Sequence, residues 1–326
     1  MKKGNCFSNA IYSFTFLLLS LLIFAPILSH INTSVIGYAG DSEQEMWFLT
    51  YGSWAITHGT NPFITNFINY PYGVNLMWNS SAFFLSILMW PILSTVGVIA
   101  AYNLLIILGI ALSGILAFFA FNRYLPKKYA FLASALYEMS PFLLIQALGH
   151  SKVVFDLMPP LLFIVLDELI VKQRKKPYVL GIILGIVVSL QLLIYEESIA
   201  LAAIAVAISL IVLSFIYKDR VKEHSRYFLT SMPYFLVTLA VIDAYPLYIQ
   251  FFGSQRLHGR VPGGNVYVTD LSNILIPTVR QLISPAFFVN ISNHFSGNLV
   301  ENGSYLGAPL VLLLLLAIIL EWKRAL

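Results

Sequence analysis

An acidic cluster just after the N-terminal apolar segment contains the residues best suited to acid–base chemistry. It reads Gly40-Asp41-Ser42-Glu43-Gln44-Glu45 and lies within residues 32–80, a stretch without Lys or Arg. Asp41 follows a glycine in the loop that leaves the apolar segment, where its carboxylate is free to accept the proton of an attacking hydroxyl. Asp41 is therefore the candidate general base, with Glu43 assisting or orienting. Ser42 and Glu45 also fit a helix capping box, which offers Glu43 and Glu45 a structural explanation instead.

Residues 41–58, which begin within this cluster, predict a short helix that lies on the membrane. Trp47, Tyr51, Trp54 and His58 recur every three or four positions, so they share one helical face. The sequence that follows is dense in Gly, Pro, Asn and aromatic residues and predicts an ordered, turn-rich loop. Because such a loop offers stacking surfaces that suit sugars, His58 and Asn61 are candidate substrate-binding residues.

Two short polar turns between apolar segments supply further substrate-binding candidates. His150 and Lys152 stand in one turn, where Lys152 suits an anion, although a lone histidine at a span end is more often an interfacial residue. Glu196 and Glu197 stand in the other turn, at the end of an apolar run. An unpaired charge is costly there, so pairing or function is the expected reason for it.

A second polar loop, 251–304, contains Arg256 and Arg260 beside a histidine and several glycines. Arginine pairs with phosphate through two parallel hydrogen bonds, so these two residues are a candidate phosphate clamp. Retained positive charge that meets lipid headgroups is the alternative. Asp270, later in the same loop, is a further candidate for substrate binding.

Other acidic residues lie inside apolar runs, where the same expectation of pairing or function applies. They are Glu138, Asp156 and Asp243. Asp167 and Glu168 differ from these because Lys172 and Arg174 follow them closely, which favours plain salt-bridged helix ends.

The composition identifies the elements that must position these residues. Hydrophobic residues make up 59% of the chain, charged residues only 10%, and the mean hydropathy is +0.81. We therefore predict an all-α polytopic membrane protein with a single transmembrane domain over 1–326. The net charge of +4 lies in short clusters between apolar segments, so we expect no nucleic-acid partner. Walker, HExxH, CxxC and Gly-x-Ser-x-Gly patterns are absent, which disfavours NTPase, zinc peptidase and serine hydrolase activities.

Nine apolar segments are candidate membrane spans. They cover residues 11–31, 81–98, 102–121, 129–147, 153–171, 178–195, 198–216, 228–250 and 305–321. If all nine crossed, the basic clusters 123–128 and 172–176 would lie outside, against the positive-inside rule. The segment 81–98 is the weakest because Pro91 interrupts it and Trp90 suits the interface. We predict about eight crossings, with 81–98 interfacial or re-entrant.

This topology fixes an orientation in the cell membrane. It leaves only four of the 19 Lys and Arg residues, Lys152, Arg256, Arg260 and Arg280, on the outer side. Both termini are then cytoplasmic, and the two large loops, 32–80 and 251–304, share the outer face with the two polar turns. The candidate residues are thus expected at one membrane surface.

Motifs spread over most of the chain resemble a family of bacterial multi-pass proteins, the GT-C-fold glycosyltransferases that depend on polyprenyl-phosphate sugars. These motifs are Gly40-Asp41-x-Glu43-x-x-x-Trp47-Phe48-Leu49, His58-Gly59-x-Asn61-Pro62-Phe63, Pro71-x-Gly73-Val74-Asn75-Leu76, Leu148-Gly149-His150, Tyr195-Glu196-Glu197, Thr269-Asp270-Leu271 and Glu301-Asn302-Gly303-x-Tyr305-Leu306-Gly307. In such enzymes the first external loop carries an acidic motif and membrane-parallel helices, which Asp41, Glu43 and the predicted helix match. The resemblance implies a GT-C-like helical bundle.

The resemblance also implies a reaction and its partners. A sugar would pass from a polyprenyl-phosphate-linked donor to a cell-envelope acceptor on the outer face of the bilayer, with Arg256, Arg260 and Lys152 near the donor phosphate. No cofactor is certain; a divalent cation remains an option where carboxylates converge, although Asp41 and Glu43 alone make a poor site. Relatives usually continue through more spans, so we expect a truncated or split family member.

Two other functions fit the same sequence. One is a transporter of a lipid or polyprenol-linked substrate, in which Glu196, Glu197 and Asp243 line the path. It predicts tolerance of Asp41 substitution, whereas the enzyme predicts loss of activity. The other is an inactive, truncated GT-C scaffold that binds no carrier lipid.

Overall fold

The chain is 70% helical in a computed structural model that describes residues 3–79, 81–256 and 267–325. The helices are α1 (Lys3–Ile23), α2 (Ala25–Leu28), α3 (Asp41–Thr57), α4 (Phe83–Thr95), α5 (Val98–Phe121), α6 (Lys127–Glu138), α7 (Pro141–Gln146), α8 (Ser151–Val154), α9 (Met158–Leu166), α10 (Pro177–Leu192), α11 (Glu196–Ile216), α12 (Lys218–Phe252), α13 (Ala286–Ser292) and α14 (Ala308–Ala325). Short 3₁₀ helices cover Leu76–Trp78 and Leu271–Ile274, and a π-helical turn covers Asp167–Lys172. The all-α prediction is confirmed.

The chain packs as two compact units. The first comprises residues 1–138 and 149–257, and the second comprises 139–148 and 258–326. The first unit contains α3, α8 and the small hairpin in which β1 (Ile64–Thr65) pairs antiparallel with β2 (Val74–Asn75). The acidic cluster and the turn at His150 therefore belong to one unit.

Three helices of the described chain are long and apolar enough to cross a membrane, which supports a membrane protein. They cover Val98–Phe121, Glu196–Ile216 and Val221–Phe252. Shorter apolar helices cover Phe7–Ile23, Phe83–Thr95, Pro177–Leu192 and Ala308–Leu320. Our count of about eight crossings is thus not confirmed by helix length and composition.

Two predicted spans are not continuous helices. The segment 129–147 is divided because Ser140 caps a new helix by accepting a hydrogen bond from the Leu143 amide, with Pro141 in the first turn. The segment 153–171 is divided between α8, α9 and the π-helical turn, and prolines stand in the first turn of α9. Proline lacks an amide donor and suits only the first turn of a helix, so both breaks have a local cause.

The segment 81–98 forms α4, which is only 13 residues long with Pro91 inside it. At 1.5 Å per residue α4 measures about 20 Å, less than the roughly 30 Å hydrocarbon core of a bilayer. Ser86 of α4 donates a 2.5 Å hydrogen bond to the Leu49 carbonyl of α3. A Cβ on Gly52 would lie 2.6 Å from the Ser86 hydroxyl, so α4 packs closely along α3.

Helices α10 and α12 pack tightly against each other, and glycines make this possible. A Cβ on Gly181 would lie 2.2 Å from the Ser231 carbonyl oxygen, and one on Gly185 would lie 2.6 Å from Thr238. Gly181 and Gly185 are four positions apart and form a Gly-x-x-x-Gly face, which lets membrane helices approach at backbone distance. By contrast, no part of the apolar window of α11 is buried.

A buried ionic cluster joins the end of α5 to the π-helical turn. Lys172 Nζ lies 3.2 Å from Asp167, and Arg174 pairs with Glu168. This confirms the predicted salt-bridged helix ends. Arg123, which we did not predict as a partner, pairs with both carboxylates.

In the second unit, asparagines organise the chain around the 3₁₀ helix. The Asn302 side chain accepts a 2.9 Å hydrogen bond from the Asp270 amide, and its own amide donates to Ser296 and Asn298 carbonyls. Asn273, which is fully buried, accepts a 2.8 Å hydrogen bond from the Ser304 amide. Asp270 and Asn302, which both belong to the motifs quoted above, thus have structural roles.

Candidate active site

The acidic cluster opens α3. Gly40 precedes the helix with φ +108, a conformation that favours glycine, and its amide donates to the Glu43 carboxylate. The helix begins at Asp41, so Glu43 occupies the third helical position. The capping box that we predicted from Ser42 and Glu45 is therefore wrong, because it is Glu43 that reaches back to the residue before the helix. Asp41 stays largely free, with its side chain 66% exposed.

The turn at His150 meets this end of α3. His150 precedes α8, and its Nε2 lies 3.4 Å from Asp41 Oδ2. The His150 Nδ1 is buried and has no hydrogen-bond partner within the described residues. Asp41 and His150 thus form a carboxylate–imidazole pair in which Nε2 faces the predicted base.

Glu45 lies one helical turn further along α3 and binds the two residues that follow His150. Its side chain is only 4% exposed, and Oε1 lies 3.3 Å from Lys152 Nζ, whose side chain is 15% exposed. Its Oε2 accepts hydrogen bonds from the Ser151 hydroxyl at 2.5 Å and from the Lys152 amide at 3.3 Å. Glu45 is therefore the buried counter-ion that fixes α8 to α3, a role that the sequence reasoning missed.

Two residues of α5 form hydrogen bonds with the acidic cluster and with the chain that precedes it. The buried Tyr102 donates a 3.2 Å hydrogen bond to the Ser42 hydroxyl. Asn103 donates to the carbonyls of Ile31 and Ser34 at 2.8 and 2.7 Å and accepts from the Ile36 amide at 2.9 Å. These bonds order the chain that leads from the first apolar helix to the acidic cluster.

Glu196 and Glu197 begin α11 and differ in their surroundings. Glu196 accepts a 2.5 Å hydrogen bond from the Gln250 side chain of α12. Glu197 accepts a 2.6 Å hydrogen bond from the Tyr195 hydroxyl. Ser198, next in sequence, donates to Asp156, so that carboxylate is also paired. The polar groups at the start of α11 are thus joined to neighbouring elements, as their cost in an apolar run requires.

The first loop is attached to the end of α12 by donors on its side chains and acceptors on the α12 backbone. Asn75 donates to the carbonyls of Ile249 at 2.8 Å and Ser254 at 3.1 Å. The Trp78 indole donates a 2.7 Å hydrogen bond to the Gln250 carbonyl. The loop 32–80 and the chain at the end of α12 are therefore in direct contact.

His58 and Asn61 lie at the far end of α3 from Asp41. The His58 ring stacks on Trp54 with centroids 4.4 Å apart, and its Nδ1 lies 2.9 Å from the Trp54 carbonyl. Asn61 donates a 2.9 Å hydrogen bond to the Tyr245 hydroxyl of α12. Both residues therefore have structural partners. Trp54, on which His58 stacks, lies thirteen positions after Asp41, about 20 Å along the helix.

The candidates of the second loop are placed differently from one another. Arg256 donates a 2.9 Å hydrogen bond to the Phe251 carbonyl at the end of α12. Arg260 lies outside the described residues. Asp270 belongs to the second unit, where it caps the 3₁₀ helix through the Ser272 amide and hydroxyl, and these hydrogen bonds lower the pKa of Asp270. The structure thus gives Arg256 and Asp270 local partners and leaves the predicted clamp untested.

No family model, curated protein or solved structure matches the chain. The resemblance to GT-C glycosyltransferases is therefore supported by the sequence motifs alone.

The site can carry out acid–base chemistry next to a fixed positive charge. Asp41 can take up a proton, His150 can orient its carboxylate, and Lys152 supplies a cation whose position Glu45 fixes. Among the described residues, no three His, Cys, Asp or Glu side chains are grouped as a metal site requires.

Sequence reasoning missed Glu45, Ser151 and Tyr102 as members of the site. A usable signal existed for Glu45, because Lys152 is a basic residue on the predicted outer side and a partly buried lysine needs a carboxylate partner. No local pattern indicates Tyr102, whose hydroxyl matters only after α5 has packed against α3.

Proposed function

We propose that the protein is an integral membrane glycosyltransferase of the GT-C type. It transfers a sugar, with inversion, from a polyprenyl-phosphate-linked donor to a hydroxyl of a cell-envelope acceptor on the outer face. The observation that carries this proposal is the pairing of Asp41 with His150 next to the buried ion pair of Glu45 with Lys152. Asp41 and Glu45 are one helical turn apart on α3, and His150 and Lys152 are two positions apart.

The proposed step needs one base and one phosphate contact. The acceptor oxygen attacks the anomeric carbon, the bond from that carbon to the phosphate oxygen breaks, and the carrier leaves as a polyprenyl phosphate. Asp41 takes the proton of the acceptor hydroxyl, and His150 keeps the carboxylate aimed at it. Lys152 stabilises the negative charge that the phosphate gains, and Arg256 and Arg260 remain the further phosphate contacts that the sequence predicts.

The proposed topology has about eight crossings, with α4 in or near the interface and both termini in the cytoplasm. The basic clusters that follow α5 and α9 then face inward, as the positive-inside rule requires. Fusions of a reporter enzyme after Lys127 and after Gly253 test it. The fusion after Lys127 should report a cytoplasmic position, and the fusion after Gly253 should report an external one. An external position for Lys127 contradicts the topology.

The Asp41→Asn substitution tests the chemistry. It keeps the shape and most of the exposure of Asp41 but removes the base, so transfer from the carrier lipid should fall by about 10²-fold to 10⁴-fold. Asp219→Asn is the matched control, because Asp219 is an exposed carboxylate in the first turn of α12. Equal activity of the Asp41 variant and wild type, at equal expression, would remove Asp41 from the mechanism.

A transporter of a lipid-linked substrate is the second candidate, and Asp243 favours it. This carboxylate is fully buried within α12, which is long and apolar enough to cross, and Ser189 of α10 lies beside it. Ionisable groups inside membrane helices are costly and often mark a substrate or ion path. If Asp243→Asn abolishes function while Asp41→Asn leaves it intact, the transporter is the better description.

A further inference from the structure

An open cavity of about 340 Å³ lies between the second half of α3 and the hairpin of the first loop. Its walls combine aromatic rings with small polar side chains. They are Tyr51, Trp54, Thr60, Ile64, Thr65, Asn66, Phe67, Tyr72, Gly73 and Gln255. The volume is at the lower end of the roughly 300–1,000 Å³ of small-molecule sites.

The aromatic rings of this cavity are partly committed to the fold and partly available. Tyr51 stacks on Trp47 at 4.9 Å, and its hydroxyl donates to the Asn61 and Ile64 carbonyls, so it forms the fixed floor. Phe67 and Tyr72 are 61% and 73% exposed. Phe67 contacts the Tyr51 and Trp54 rings edge-on, and both Phe67 and Tyr72 remain exposed at the cavity.

The polar groups of the cavity are neutral. Among the described residues, no Asp, Glu, Lys or Arg contributes to its walls, whereas the Asp41 end of α3 is rich in charge. Asn66 and Gln255 supply amide donors and acceptors. Exposed ring faces beside uncharged hydrogen-bonding groups suit a pyranose, which has apolar C–H faces and hydroxyls at its edge.

The backbone around the cavity is built for a fixed shape. Gln255 adopts φ +56, an uncommon conformation outside glycine that often accompanies ligand sites. A Cβ on Gly73 would lie 2.6 Å from the Thr65 carbonyl oxygen, so only glycine lets the two sides of the hairpin approach this closely.

We propose that this cavity is a subsite for a neutral sugar unit of an extended glycan acceptor. The residues of α3 that line the cavity, Tyr51 and Trp54, lie about 15–20 Å along the helix from Asp41, too far for the sugar bound there to react at Asp41. It would hold a unit remote from the attacked hydroxyl and so orient the acceptor chain. This proposal rests on the proposed glycosyltransferase function and adds where the acceptor binds.

The test measures saccharide binding to the full chain in lipid nanodiscs. Tryptophan fluorescence and saturation-transfer NMR are the two readouts of binding. Maltotriose and chitotriose are the neutral probes. We expect saturable binding to wild type, and binding about tenfold weaker for Tyr72→Ala and for Phe67→Ala. Gln255→Ala should also weaken binding without touching an aromatic ring.

Tyr70→Ala is the matched control, because Tyr70 is 80% exposed in the same hairpin loop and does not line the cavity. It should bind both trisaccharides as wild type does. If neither trisaccharide binds saturably, or if Tyr70→Ala weakens binding as much as Tyr72→Ala, the subsite proposal is wrong.

The Asp41→Asn variant separates the two proposals. It should bind the trisaccharides normally while losing transfer. Loss of transfer without any saccharide binding in wild type would leave the enzyme proposal standing and overturn the subsite. Cavity-dependent saccharide binding in a protein without transferase activity would show that the cavity binds sugars but would overturn its role as an acceptor subsite.

Discussion

The buried pair of Glu45 with Lys152 offers the sharpest test of how the site is held together. Glu45→Gln keeps the size of the side chain but removes its charge. The amide group has one acceptor oxygen and must turn its two donors toward either the Lys152 ammonium or the Ser151 hydroxyl and Lys152 amide. At least one of the three contacts of Glu45 is therefore lost.

The size of this effect follows from burial. Removing one partner of a buried ion pair costs about 3–5 kcal/mol because the remaining charge is left uncompensated. Lys152 retains 15% exposure, so part of its charge can still be solvated. We expect Glu45→Gln to lower the free energy of unfolding by about 2–3 kcal/mol.

Thermal unfolding in one detergent, followed by tryptophan fluorescence, measures the change. Glu43→Gln is the matched control, since Glu43 stands two positions away in an exposed capping position and should cost about 0.5–1 kcal/mol. The double variant Glu45→Gln with Lys152→Met should be less destabilised than the sum of the single variants, because no charge is left alone. Additive effects, or equal effects at Glu45 and Glu43, would refute the reasoning.

Two further predictions concern regions outside the site. Gly181→Ala should lower the free energy of unfolding by about 1–3 kcal/mol because the new Cβ meets the Ser231 carbonyl of α12, even though alanine normally favours a helix. The midpoint of thermal unfolding measures this change. A rise in the midpoint would contradict the close packing of α10 against α12. The Tyr124 hydroxyl donates to the Asp167 carboxylate, which raises the pKa of Tyr124, so this bond stabilises the protein below the ordinary tyrosine pKa of about 10 and is lost as pH rises through the raised value. Tyr124→Phe should therefore be less stable than wild type at neutral pH, and the gap in unfolding midpoint should close in alkaline solution; a gap that does not vary with pH would argue against the bond.

Local signals predicted α3 and α11 well. Regular spacing of Trp47, Tyr51 and Trp54 defines one helical face, and the uninterrupted apolar run of α11 leaves few alternatives. The helix start at Asp41 was predicted correctly, but the capping pair was misassigned because Ser42 and Glu45 match the capping pattern as well as the true pair does. Two residues decide that choice: Gly40, which accepts the positive φ, and Glu43, which reaches its amide.

The helix breaks within 129–147 and 153–171 could have been predicted from the prolines in these segments. Pro141, Pro159 and Pro160 all stand inside predicted spans, and the length of the apolar runs was given more weight than these residues. Hydropathy averages over a window and is insensitive to a single missing amide donor. Composition therefore identifies the membrane class, whereas the positions of helix ends depend on individual residues.

The candidate site could be predicted only in part. Charge distribution placed Asp41, His150 and Lys152 on one face, but their contact depends on α3, α5 and α8 packing together. The partners Glu45 and Ser151 are 106 positions apart in sequence, and no periodicity links such residues. The distances at the site are thus a tertiary property.

The attachment of the first loop to the end of α12 has a consequence for how this protein can change during evolution. Asn75 donates to the main-chain carbonyls of Ile249 and Ser254, and every amino acid carries a carbonyl. Positions 249 and 254 can therefore vary without loss of these bonds, while Asn75 cannot. Compensating pairs of substitutions are therefore not expected between position 75 and positions 249 or 254, so methods that infer proximity from correlated substitutions would not detect these two hydrogen bonds.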